Sequence, residues 1–155
     1  MAPQRDAGED EPRAARAIGV AEVIAPTDLE HDQSVRDLVI ALARAGVTST
    51  LSRHDGSRAG ILTLDSNLPD VRICVGGPNT NWFTARVIGE SESAYAAELE
   101  RQLATTGRAR VWVPAALPLA ETWRPTADLR GPRMLPVLIV AGADASETRR
   151  AIDAA

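Results

Sequence analysis

The sequence predicts an α/β protein, a small three-layer sandwich whose mostly parallel sheet carries helices on both faces, as in Rossmann-like and flavodoxin-like folds. Segments rich in β-branched residues alternate along the chain with segments of helical periodicity. Two short apolar runs, VRICV at 71–75 and VLIVAG at 137–142, are typical of strands buried on both faces. Aromatic residues make up only 3% of the chain, so the core has to be built from aliphatic side chains.

The 155 residues suffice for one domain, which we place at residues 17–155. Residues 1–16, MAPQRDAGEDEPRAAR, are rich in charge and poor in large apolar side chains, which predicts a disordered charged tail. This segment lacks the apolar stretch of a secretory signal, and the later apolar runs are too short to span a bilayer. We therefore expect a cytoplasmic protein without a membrane partner.

The first half of the domain follows the order strand, helix, strand. Residues 17–26, AIGVAEVIAP, predict the first strand. A helix is predicted over 34–45 by apolar residues at spacing i, i+3, i+4 and i+7, and Gly46 terminates it. Its apolar positions are Val35, Leu38, Val39 and Leu42. Residues 47–54 predict a second strand, and 60–66 is a further strand candidate.

The second half continues the alternation. After the strand at 71–75, a helix is predicted over 93–103 and ends at Gly107, and 109–114 alternates as a strand. Residues 114–132 form a proline-rich connection, whose length is typical of functional or mobile loops.

The end of the chain predicts one more strand and helix. The strand at 137–142 carries the strongest buried-strand signal. A short helix over 146–154 follows, for which Asp144 or Ser146 is the expected N-cap.

Composition excludes several kinds of chemistry. All 17 basic residues are Arg, which excludes a P-loop lysine and a Schiff-base lysine. A net charge of −4 argues against binding nucleic acid. Cys74 is the only cysteine, so an internal disulfide and a Cys-based zinc site are excluded. His31 and His54 lack metal-ligand spacing, and the sequence points to no particular cofactor.

The stretch VGGPNTNWFT, which follows the strand at 71–75, is the main candidate for a binding site. Because ligands of parallel sheets collect at the carboxyl ends of strands, we expect the loops at Gly76 and Gly142 to share one rim. The predicted ligand-binding residues are Gly76, Gly77, Pro78, Asn79, Asn81, Thr84, Gly142 and Asp144. Neither a P-loop nor a dinucleotide-binding fingerprint is present, and we place Trp82 within the glycine loop.

Two motifs resemble an uncharacterised prokaryotic α/β domain found in archaeal surface-layer proteins and bacterial regulatory proteins. The first motif is a strand followed by GGPxxNxxT, and its matching residues are Gly76, Gly77, Pro78, Asn81 and Thr84. The second is a strand ending in Ala141-Gly142 before a helix that bears Thr148. The chain departs from the first motif by carrying Trp82-Phe83 between the Asn and the Thr. The resemblance implies the fold and no particular activity.

Each candidate also has a purely structural interpretation. The Gly76-Gly77 pair provides either positive φ angles and close backbone approach or a loop whose amides, with the following helix N-terminus, hold an anion. The side chains of Asn81 and Thr84 contact a ligand or cap that helix. Cys74 is a buried apolar filler or a nucleophile.

We favour a non-catalytic regulatory module that binds a small anionic ligand or a partner protein at the rim of the Gly76 and Gly142 loops. The alternative is a hydrolase or transferase acting on a nucleotide or glycoside, with Glu98, Asp144 or His54 as acid or base. A purely structural domain is the third interpretation. The binding role is preferred because the candidate loops offer mainly amides and hydroxyls.

Overall fold

The computed structural model describes residues 19–54, 69–116 and 131–153. The elements of these ranges are β1 (Val20–Ala25), α1 (Gln33–Arg44), β2 (Thr48–Arg53), β3 (Val71–Val75), α2 (Trp82–Gly89), α3 (Ser93–Thr106), β4 (Arg108–Val113), β5 (Val137–Gly142) and α4 (Ala145–Asp153). The predicted tail at 1–16, the strand candidate at 60–66 and residues 117–130 of the proline-rich connection lie outside the described residues. None of the helices within these ranges is long and apolar enough to cross a membrane.

The strands form one sheet in the order β2-β1-β3-β5-β4. β1 pairs in parallel with β2 and with β3, and β3 pairs in parallel with β5. β3 and β5 are therefore neighbours, with Cys74 and Ile139 as register partners, which places the loops at Gly76 and Gly142 at the same edge of the sheet. β4 instead runs antiparallel to β5. The α/β class and the mostly parallel sheet are confirmed, and an antiparallel edge strand is a common addition to such sheets.

Most buried apolar side chains of the described residues belong to two hydrophobic clusters. Because successive strand residues point to opposite sides, neighbouring residues of β1, β3 and β5 enter different clusters. One cluster joins strand residues to Phe83 of α2 and Leu99 of α3. The other joins strand residues to Val35 of α1 and Ile152 of α4. The helix predicted over 34–45 is confirmed as α1, which packs against the sheet through its apolar stripe.

Helix α1 is tied to α4 through its N-cap. The Asp32 carboxylate accepts hydrogen bonds from the backbone N–H and the hydroxyl of Ser34, at 3.0 and 2.7 Å. It also accepts from Arg149 Nε of α4 at 2.8 Å. These hydrogen bonds, with Ser34 first and Arg149 second, lower the pKa of Asp32 from 3.8 to about 2. Asp32 therefore both caps α1 and joins two helices that share one core cluster.

Helix α2 corrects the placement of Trp82, which lies in the first turn of a helix and not in the glycine loop. The helix has only eight residues, so its sequence shows barely two turns of periodicity. Its helical state depends on burial of Phe83 and Val87 in the core and on the Asn81 cap. A sequence pattern of eight residues therefore does not by itself predict this helix.

Candidate functional site

A cleft of about 250 Å³ opens at the carboxyl ends of the parallel strands. The loops after β1, β3 and β5 line it, together with residues of α3. The connection after β1 leads through α1 to β2, whereas the connection after β3 leads through α2 and α3 to β4 at the opposite edge. The strand order therefore reverses between β1 and β3. Such a reversal leaves the crevice in which α/β proteins bind ligands.

The cleft brings together five of the eight predicted ligand-binding residues. Those that line it are Gly77, Pro78, Asn79, Gly142 and Asp144. The other three, Gly76, Asn81 and Thr84, are buried and do not line it. Sequence reasoning missed the loop after β1, which contributes Asp28 and Leu29. This contribution could have been predicted, because the loop follows a strand of the parallel sheet and therefore lies at the same end of the sheet as the other two loops.

Of the two loop glycines, only Gly76 needs the conformational freedom of glycine. Its φ is +102°, and a Cβ placed on it would lie 2.8 Å from the hydroxyl oxygen of Thr80. Its N–H donates to the carbonyl of Val140 in β5 at 2.8 Å, which ties the loop to the neighbouring strand. Gly77 has no positive φ, and its added Cβ would meet only the Cβ of Ala141 at 3.9 Å. Gly77 is therefore a lining residue that tolerates a methyl group in the folded loop.

Asn81 and Thr84 hold the loop and α2 together. The Asn81 side-chain oxygen accepts from the amides of Phe83 and Thr84 at 2.9 and 3.1 Å, which caps α2. Its amide nitrogen donates to the carbonyls of Ile24 and Val75, at 3.1 and 2.8 Å. The Thr84 hydroxyl donates to the carbonyl of Gly76 at 2.9 Å. Both side chains are fully buried, so the structure shows the capping and tethering roles of these residues directly.

The N-terminal amides of α2 are all engaged within the protein. Besides the two amides that Asn81 caps, the N–H of Trp82 donates to His54 Nδ1 at 3.0 Å. The amide of Ala85 donates to the carbonyl of Asn81 at 3.0 Å. An anion at this helix end would have to displace one of these acceptors, because a helix N-terminus binds anions through its unpaired amides.

Gly142 allows α4 to begin directly against the end of β5. A Cβ on Gly142 would lie 2.1 Å from the backbone nitrogen of Thr148, so no other residue fits without moving the helix. The Thr148 hydroxyl accepts from the amide of Gly142 at 3.0 Å and donates to the carbonyl of Asp144 at 3.0 Å. The Asp144 carboxylate accepts from the amide of Glu147 at 2.8 Å, as expected of the predicted N-cap.

The cleft has an apolar floor and an acidic rim. Leu29 and Leu99 are buried among its lining residues. Three exposed carboxylates come from different elements, namely Asp28 after β1, Glu100 on α3 and Asp144 after β5. The described lining residues include neither an arginine nor a histidine. The charge at the rim of the cleft is therefore negative, and it favours a neutral or cationic ligand over an anionic one.

The candidate acid–base residues do not meet in one place. Glu98 forms an exposed ion pair with Arg101, and the hydrogen bonds from Arg101 and Gln102 lower its pKa to about 2. Of Glu98, His54 and Asp144, only Asp144 lines the cleft. No group of three or more His, Cys, Asp or Glu side chains in the described ranges is placed to hold a metal ion.

Cys74 lies on β3 in the first core cluster and is fully buried. Burial raises the pKa of its thiol to about 12. A thiol protonated to that extent is a poor nucleophile at neutral pH, so the structure supports its interpretation as an apolar filler.

Sequence reasoning missed an ion pair inside the sheet. Glu22 of β1 and Arg72 of β3 are register partners, and both side chains are fully buried. Arg72 Nε lies 2.8 Å from Glu22 Oε1, while the Ser52 hydroxyl donates to Glu22 Oε2 at 2.6 Å. The Arg72 guanidinium also lies 5.4 Å from the centroid of the Phe83 ring. The sequence did contain a sign of this ion pair, because Glu22 and Arg72 are single residues of opposite charge in two otherwise apolar strands.

Comparison of the chain with protein-family models, with curated proteins and with solved structures finds no match.

Proposed function

We propose that the chain is a non-catalytic regulatory binding module that holds a small ligand in the cleft at the carboxyl ends of β1, β3 and β5. The observation that supports this role is the convergence of three loops and α3 on one cavity of about 250 Å³ at the strand reversal. Ligand pockets commonly measure about 300 to 1,000 Å³, so the cleft suits a compact molecule.

The charge of the lining directs the choice of ligand. Sequence reasoning favours a small anion, whereas the rim carries Asp28, Glu100 and Asp144, and the amides at the start of α2 already have acceptors. An anion would meet three like charges, and the amides at the start of α2 would not be free to bind it. We therefore propose a small cationic ligand, whose amine or guanidinium faces the rim carboxylates and whose apolar part lies on Leu29 and Leu99.

A partner protein is the second candidate. Trp82 is 62% exposed and lies two residues after Thr80, which lines the cleft. Exposed tryptophans are enriched at the centres of protein interfaces. An Arg or Lys side chain of such a partner would present to the cleft the same chemistry as a small cation.

The remaining parts of the proposal concern architecture and setting. Alternation of strand residues between two core clusters supports a three-layer, Rossmann-like sandwich. The resemblance of the two glycine motifs to bacterial regulatory proteins agrees with a binding role. A cytoplasmic location agrees with a single, buried cysteine. The hydrolase or transferase alternative has less support, because its candidate acids and bases lie apart.

Calorimetric titration with agmatine, butylamine and inorganic phosphate tests the proposed ligand class. We expect saturable binding of agmatine that weakens with added salt, and no binding of phosphate. Glu100→Gln should weaken agmatine binding by about 1.5-fold to 5-fold, as expected for an exposed charge pair. Glu98→Gln is the matched control, because it removes the same charge from the same helix outside the cleft.

Three results would contradict the proposal. If neither agmatine nor butylamine binds, the proposed cationic ligand class is wrong. If phosphate binds in place of agmatine, the hypothesis of an anionic ligand is restored. An equal effect of Glu98→Gln and Glu100→Gln would show that net charge, and not the cleft, governs binding.

A further inference from the structure

His54 and Trp82 form an unusual junction between the end of β2 and the start of α2. The imidazole and indole rings are stacked, with centroids 4.8 Å apart and planes inclined by 24°. The backbone N–H of Trp82 also donates to His54 Nδ1 at 3.0 Å. The imidazole thus contacts both the side chain and the backbone of one residue. It provides a cap for α2 that is separate from Asn81.

We propose that His54 is a pH-responsive cap of α2, which accepts the Trp82 amide when neutral and releases it when protonated. A ring nitrogen accepts a hydrogen bond only when it carries no proton, so the observed contact requires the tautomer protonated at Nε2. Protonation at Nδ1 replaces the acceptor by a donor that faces another donor. It also places a positive charge at the positive end of the helix dipole.

Within the described residues, no charged side chain competes with the Trp82 amide for the His54 ring. The ring forms no hydrogen bond or ion pair with a charged side chain in the described part of the chain. The charged residues on the elements that it contacts are Glu22 of β1, Arg53 of β2 and Arg86 of α2. Glu22 is hydrogen-bonded to Arg72, and Arg86 lies 3.9 Å from Glu90. Among the contacts of His54 with described residues, the Trp82 amide is therefore the one through which protonation acts.

Protonation of His54 has two opposing effects at this junction, one on the stacking of the rings and one on the hydrogen bond to the Trp82 amide. An imidazolium can remain stacked on an indole through a cation–π interaction. It cannot continue to accept the Trp82 N–H. The amide, and not the ring contact, is therefore the diagnostic reporter. Because Thr80 lies two residues before Trp82 and lines the cleft, the released turn adjoins the cleft wall.

Amide exchange of ¹⁵N-labelled protein between pH 5 and pH 8 tests the cap without any ligand. We expect the protection factor of the Trp82 amide, corrected for intrinsic exchange, to fall about fivefold on the acid side. Its midpoint should coincide with that of the His54 ring signals. The Phe83 amide, which Asn81 caps, should keep its protection.

The chain provides matched controls, because His31 is its only other histidine. His31 is exposed and lies beside Glu30, so His31→Gln should leave the Trp82 transition unchanged. His54→Gln should abolish it. The proposal is overturned if Trp82 protection is constant from pH 5 to pH 8, if Phe83 changes with it, or if the transition survives in His54→Gln. Should His54→Gln fail to fold, the comparison of Trp82 with Phe83 in His31→Gln decides.

Discussion

Removal of the Arg72 guanidinium should cost far more stability than removal of an exposed arginine. Arg72 and Glu22 face each other across β1 and β3 with both side chains fully buried, and Nε lies 2.8 Å from Oε1. Arg72→Met replaces the arginine by an unbranched apolar side chain and removes the guanidinium that lies against the Glu22 carboxylate. Breaking a buried pair in this way costs about 3 to 5 kcal/mol. That is a large fraction of the about 5 to 15 kcal/mol that stabilises a typical domain.

Urea unfolding at pH 7, followed by far-UV circular dichroism, measures this loss. The matched control is Arg101→Met, because Arg101 forms an ion pair with Glu98 at 2.6 Å. Those side chains are 62% and 41% exposed. Water therefore solvates both charges, and their separation should cost much less than that of the buried pair. The two variants make the same chemical change in a buried and an exposed setting, so the difference isolates burial.

A double variant separates the charge pair from its packing. Glu22→Leu combined with Arg72→Met removes both charges, so it should cost less than the sum of the two single variants. The reasoning would be refuted if Arg72→Met destabilised no more than Arg101→Met. Strict additivity of the two buried substitutions would also refute it, because it would mean that the charges do not interact.

Three further predictions follow from the loop, the core and the helix cap. Gly76→Ala should lower the free energy of unfolding by about 1 kcal/mol or more because of its positive φ, whereas Gly77→Ala should change it by less than about 0.5 kcal/mol. Equal shifts of the two thermal midpoints would contradict this. Cys74 should resist alkylation by iodoacetamide in native protein and react only in denaturant, as mass spectrometry can establish; rapid labelling without denaturant would disprove its burial. The lowered pKa of Asp32 means that its contribution is present above about pH 4 and is lost as the pH falls toward 2. Wild-type protein should accordingly lose stability relative to Asp32→Asn over that range, and parallel pH profiles would rule out stabilisation of the ionised Asp32 carboxylate by Ser34 and Arg149.

The sequence by itself determined where most elements begin and end in the described ranges. Helix α1 was recognisable because its apolar residues recur every three or four positions. Gly107 marked the end of α3 because glycine readily adopts the positive φ of a helix terminus, and its φ in the structure is +77°. The two apolar runs identified β3 and β5 as buried strands. These signals are local, since each depends on residues within a few turns or strand positions of one another.

Only the tertiary structure decided which side chains form a site. Asn81 has the residue type of a ligand contact and of a cap, and its role became clear when the carbonyl of Ile24, distant in sequence, proved to be its acceptor. The loop after β1, with Asp28, joined the cleft because β1 lies beside β3. The rim is negative because three chain segments meet there.

Strand order and direction were likewise settled by long-range packing. A strand such as β4 has the same alternation whether it runs parallel or antiparallel to β5. Glu22 and Arg72 are 50 residues apart, and no local pattern records that they become register partners. Burial of both charges is tolerable only because the sheet brings them together, so their pairing is a property of the assembled fold and not of either strand.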